Sequence, residues 1–209
     1  MRPRSGRALA TAALAVLLVA CGGPGATTGS SAGGTPASRP SSSAPPPAKS
    51  AKSVSAVGRS TPVRLRIPAI GVDTPVMKLG LAADGSVQVP PIAAHDRAGW
   101  YEHSPTPGQT GPSVILGHVT VGAYGDGVFR HLGELHRGEK IVTRLENGTA
   151  AVFAVTDVRT VAKADFPSHE VYGNVNRPEL RLITCGGKRT GDGYLDNVIV
   201  FAALTSASP

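Results

Sequence analysis

The 209 residues carry 21 Lys and Arg against 14 Asp and Glu, a formal charge of +7. Seven of those bases and none of the acids fall in residues 1–60, so the rest is formally neutral and lacks the basic footprint of a nucleic-acid binder. The length suits one ordinary domain plus a tail, and two cysteines are too few for a disulfide framework.

Arg2, Arg4 and Arg7 precede an apolar run, Ala8–Ala20, that stops at Cys21-Gly22-Gly23. This is the pattern of a secretion signal, with residues 1–20 as the cleaved peptide. The run falls short of the roughly 20 residues that span a bilayer, so a permanent signal anchor is the alternative rather than the first reading. Leu18-Val19-Ala20-Cys21 resembles the bacterial lipobox, which makes Cys21 the lipid-attachment residue and the mature N-terminus. Acyl chains there hold a protein on the outer leaflet, at the extracellular face of the plasma membrane.

Residues 21–60 are dominated by Gly, Ser, Thr, Ala and Pro and contain no aromatic residue. Such a segment buries too little apolar surface to offset its ordering entropy and reads as a disordered tether. As a flexible coil it reaches about 35 Å, further where Pro45-Pro46-Pro47 stiffens it.

From Thr61 onward the apolar residues come in short, largely β-branched runs: Val63–Ile67, Val87–Val89, Val114–Leu116, Ile141–Leu145, Ala151–Val155, Leu180–Thr184 and Val198–Ala202. Their lengths and their Gly, Pro, Asn and Asp boundaries predict strands. Asp84-Gly85 and Asn147-Gly148 read as hairpin turns. Helical periodicity is nearly absent, with short turns expected near Gly127–Gly133 and around Pro178. Seven or eight strands at this spacing predict an all-β, mainly antiparallel barrel or sandwich over residues 61–209.

Two residues stand at the ends of such strands. Cys185 follows Leu180–Thr184 and precedes Gly186-Gly187, and His118 follows Val114-Ile115-Leu116-Gly117. A Cys–His pair makes the thiolate that attacks a carbonyl, and the imidazolium then protonates the leaving amine. A buried packing thiol is the alternative for Cys185, since free Cys behaves as a small apolar side chain. The other histidines, His95, His103, His131, His136 and His169, sit in polar or Gly- and Pro-flanked surroundings and read as loop residues. An acyl-transfer site also needs donors for its oxyanion, and Arg189, four residues past Cys185, is the candidate; a solvated loop residue beside Lys188 is its other reading. Cys185 has no neighbouring Cys or His at zinc-ligand spacing, and no segment resembles a phosphate loop, so no metal or cofactor is expected.

Leu116-Gly117-His118-Val119 and Leu182-Ile183-Thr184-Cys185-Gly186-Gly187, in this order on a β-rich domain, resemble the sortase family, and Thr-Cys-Gly-Gly is most similar to its class F, actinobacterial branch. Ile67–Val76, Ala98–Tyr101 with Pro107-Gly108, and Tyr194–Val198 extend the resemblance over residues 61–205. It implies an eight-stranded β-barrel with short helical turns. It also implies a cysteine transpeptidase in which Cys185 cleaves a C-terminal LPxTG-like sorting signal through a thioester. An amine acceptor on peptidoglycan precursor or a pilin-like surface protein then resolves that thioester, with His118 as the matching histidine. The family's arginine usually lies on or at the start of the strand after the Cys loop, where this chain reads Leu195-Asp196-Asn197. Either Arg189 reaches in from the loop, or backbone donors and Asn197 share the role, or the enzyme is weak. The lipobox is a second departure, because sortases are commonly held by an uncleaved anchor. A noncatalytic lipoprotein that uses the same cleft to bind peptides or wall components is the competing reading.

Overall fold

The computed structural model describes residues 56–191 and 193–209. The expected signal peptide, Cys21 and nearly all of the expected tether lie outside the described residues. Eight strands form a closed barrel: β1 (Pro62–Ile67), β2 (Val72–Leu79), β3 (Ala98–Tyr101), β4 (Gly111–Leu116), β5 (Lys140–Leu145), β6 (Ala150–Ala162), β7 (Pro178–Thr190) and β8 (Gly193–Ser208). Their order around the barrel is β1-β2-β3-β4-β7-β8-β6-β5, closed by β5 on β1. The fold is all-β as expected, with one short helix, α1 (Ser168–Tyr172), between β6 and β7.

Two neighbouring pairs, β2–β3 and β4–β7, are parallel, and the other six are antiparallel. The second parallel pair sets β4 beside β7, with Leu116 opposite Ile183. β7 and β8 form a long hairpin in which Ile183 faces Ile199 and Cys185 faces Asn197.

Side-chain alternation divides these strands between two apolar clusters. Leu180 and Leu182 of β7, Ile115 of β4 and Val200 of β8 point into the barrel, where they meet Leu65, Phe129 and Phe153. Ile183, Val114, Leu116, Ile199 and Phe201 point outward into a second cluster that Val171 of α1 helps to cover. This explains why β4 is buried on both faces: the barrel fills one side and the β6–β7 connection covers the other.

Two expectations need correction. Val87–Val89 is not a strand: Val87 makes a single bridge to Leu81 across the Asp84-Gly85 turn, and the chain then runs to Pro90 without a further partner strand. Pro178 opens β7 rather than a helical turn, a position where Pro is tolerated. The helical turn lies earlier, in α1, while Leu132–Glu134 forms the short 3₁₀ turn near the other expected place.

Candidate active site

Cys185 is a free, half-buried thiol near the rim of the barrel. Ile183, two residues before it, belongs to the outer cluster, so alternation along β7 puts Cys185 on the same outer face. His118 follows Leu116, the last residue of β4, by the same two residues. The β4–β7 pairing ends at Leu116 opposite Ile183 and the Gly117 N–H bond to the Ile183 carbonyl, one residue short of His118.

Local packing holds His118 there. The Gly117 N–H donates to the Ile183 carbonyl at 3.1 Å, and the buried Thr184 hydroxyl donates to the Gly117 carbonyl at 2.8 Å. From the other side, the Phe129 N–H donates to the His118 carbonyl at 2.9 Å. A Cβ on Gly117 would stand 2.6 Å from the Phe129 ring, and one on Gly127 would stand 2.3 Å from the His118 carbonyl oxygen. Both positions therefore require glycine for close approach. His118 Nε2 lies 2.6 Å from the carbonyl oxygen of buried Pro90. A carbonyl only accepts, so Nε2 carries the hydrogen and Nδ1 is the nitrogen left to take or give a proton. The Pro90 contact has no signal in the sequence, because it depends on how the long β2–β3 connection crosses the strand ends.

A pocket of about 230 Å³ opens beside Cys185, lined by Phe129, Glu134, Thr184, Gly187 and Tyr194 among others. Gly187, at φ 70°, turns the chain just past the thiol, and the Asp196 carboxylate crowds the place where a side chain would be. Arg189 lies beyond this bulge, exposed and opposite Tyr194, with its guanidinium carbon 5.9 Å from the centre of the Tyr194 ring. Tyr194 in turn donates to or accepts from Thr120 at 3.3 Å. The β4–β7 pairing thus runs toward His118 and Cys185, with His118 tied to Pro90 and Phe129, and Arg189 stands opposite Tyr194, which lines the pocket.

Of the remaining histidines, His131 pairs with Glu134 at the surface, whereas half-buried His95 stacks on Tyr124 at 4.6 Å. Among the described residues no cluster of three His, Cys, Asp or Glu is placed to hold a metal ion. Over the outer cluster, Leu81, Val87, Tyr101, Phe166 and Tyr172 line an open groove of about 560 Å³. Burial pushes the Tyr172 phenol above its ordinary pKa.

A family model for the sortase domain matches residues 65–205. The chain belongs to the sortase family. A sortase domain implies a cysteine transpeptidase, and the solved structures it is similar to share the barrel. SrtA sortase from Actinomyces oris is 26% identical, with 77% of this chain and 89% of that one covered, at a TM-score of 0.54. A Clostridium perfringens Sortase D5 transpeptidase is 22% identical over 73% and 82%, at 0.51. Sortase A from Corynebacterium diphtheriae is 19% identical over 70% of this chain, which spans 61% of the length of that protein, at 0.54. No curated protein matches the chain.

The Thr184 hydroxyl is the tie between the two strands of the sortase site. Thr184→Val keeps the side chain's shape, removes the bond to Gly117 and is expected to cost about 1–3 kcal/mol, read by urea denaturation. It is also expected to slow alkylation of Cys185 by iodoacetamide roughly tenfold, since the hydroxyl tethers the segment that carries His118 to β7. Lost stability with an unchanged alkylation rate would make the tie purely structural.

Proposed function

We propose that this sortase cleaves a C-terminal LPxTG-like sorting signal and transfers it to an amine on peptidoglycan precursor or a pilin-like surface protein. The Cys185 thiolate adds to the carbonyl carbon of the Thr–Gly or equivalent bond. As the C–N bond breaks, His118 gives its proton to the leaving amine, and Cys185 holds the acyl part as a thioester. The acceptor amine then attacks the thioester, loses its proton to His118 and releases the Cys185 thiolate. Either Arg189, above Tyr194 at the edge of the pocket, or backbone donors and Asn197 serve the oxyanion in this scheme. The groove over the outer cluster takes the apolar residues of the signal. Signal peptide, Cys21 lipidation and tether together place the domain on the extracellular face of the plasma membrane, and Thr184-Cys185-Gly186-Gly187 assigns it to the class F branch.

The observation that supports this reading is the parallel β4–β7 register, Leu116 opposite Ile183, on the two strands that lead into His118 and Cys185. The test is mass spectrometry of the purified chain after incubation with an LPxTG-type peptide library. The expected adduct equals the peptide up to its cleaved bond and maps to the fragment containing Cys185. A folded chain that binds peptide but neither cleaves it nor forms the adduct would overturn the enzyme reading in favour of a peptide-binding lipoprotein.

A further inference from the structure

β7 pairs with β4 along one edge and with β8 along the other. There Cys185 is the direct antiparallel partner of Asn197 on β8. Directly opposed residues project on one face with Cβ atoms about 4.5–5.5 Å apart. Ile199, two residues further on, lies in the same outer cluster as Ile183, so alternation also puts Asn197 on the outer face. Cys185 and Asn197 therefore project side by side from β7 and β8, while β4, whose end leads to His118, pairs with the other edge of β7.

The surroundings leave that carboxamide uncommitted. Its neighbour across the far edge of β8 is Val161, an apolar residue that packs on the outer cluster. Asn197 is half-buried and makes no side-chain hydrogen bond to another described residue; the bonds near it are those of Thr184 and Tyr194. A strand pins its backbone on both sides, through Cys185 on β7 and Val161 on β6. A donor fixed on a sheet is placed more tightly than one on a hairpin tip, and a preorganised donor gains most where charge develops.

We propose that Asn197 is a catalytic residue, whose carboxamide N–H donates to the oxyanion formed when the Cys185 sulfur adds to a carbonyl. Sulfur–carbon bond formation moves the carbonyl electron pair onto oxygen. The amide stabilises that charge without transferring a proton, and releases it when the carbonyl re-forms and the leaving group departs. This inference deepens the assignment of Cys185 as nucleophile and needs no particular sorting motif.

The test compares two reactions of Cys185 in the full chain. Acylation by p-nitrophenyl acetate passes through an oxyanion and is read as nitrophenolate release; alkylation by iodoacetamide does not. Asn197→Ala and Asn197→Leu are expected to slow acylation about 100-fold and to leave alkylation within about twofold of the wild type. The leucine variant matches asparagine in size and suits the apolar flank of Val161, which guards against loss of fold. Equal slowing of both reactions, or acylation within about twofold of the wild type, would overturn the proposal. Because the ester is not a sorting peptide, failure to find a peptide adduct refutes the sortase substrate reading and leaves this result separately decided.

Discussion

Cys185→Ala is expected to remove the acyl-enzyme altogether, and His118→Gln to slow its formation about 10²- to 10⁴-fold, with both chains remaining folded. Cys185 is half-buried at the barrel rim, so truncation to alanine removes the sulfur and few packing contacts. Glutamine at position 118 offers an N–H for the Pro90 carbonyl that now accepts from Nε2, and so keeps the local tie. It has no proton to give at neutral pH. The leaving amine must then depart unprotonated. Time-resolved mass spectrometry with the sorting peptide reads the rates, and thermal melting checks the fold. An adduct persisting in Cys185→Ala would move the nucleophile elsewhere; an unchanged rate in His118→Gln would remove the histidine from the proton path.

Glu179→Ala is expected to destabilise the domain by about 3–5 kcal/mol, a large share of the 5–15 kcal/mol typical of a folded protein. Glu179 and Arg181 lie on the outer face of β7 below Ile183, only 6% and 4% exposed, and pair with each other. Glu179 also accepts from the exposed Arg177. The guanidinium carbons of Arg181 and Arg159 each lie 4.6 Å from the centre of the Phe201 ring, so two cations share one aromatic side chain. Without Glu179, Arg181 keeps the ring and its bonds to the Glu170 and Leu180 carbonyls but loses its carboxylate while 4% exposed, and the buried charge becomes the dominant cost. Arg177→Ala serves as the comparison: its partner Glu179 retains Arg181, and an exposed pair contributes at most about 1 kcal/mol. Urea denaturation separates the two variants. Equal, small losses would mean that water reaches Arg181 once Glu179 is gone.

The strands that could be read from sequence are those that stop where their apolar pattern stops. Val63–Ile67 and Ile141–Leu145 correspond closely to β1 and β5, because turn residues bound them on both sides. β6, β7 and β8 run well past their apolar runs, into Arg159-Thr160, Lys188-Arg189 and Ser206, because pairing with each other supports the exposed ends. β2 was not singled out, since Asp73, Pro75 and Lys78 interrupt it, and β3 has only four residues. For the site, strand-end positions identified His118 and Cys185 as candidates. That β4 and β7 lie side by side was not legible, because no local pattern points to their parallel pairing. Asn197 stood in the sequence as one of several possible donors, and only the β7–β8 register distinguishes it from its neighbours.

The parallel pairing of β4 with β7 also has a temporal meaning. The Thr184–Gly117 bond spans 67 residues of chain, and β5, β6 and α1 intervene between the two strands. Contacts of such separation form only after the entropy of closing a long loop has been met. A chain emerging N-terminus first has β4 available long before β7 is made, and the segments that carry His118 and Cys185 are joined only when the barrel shuts. The proposed site is therefore a late product of folding, absent from any chain not yet closed around its core.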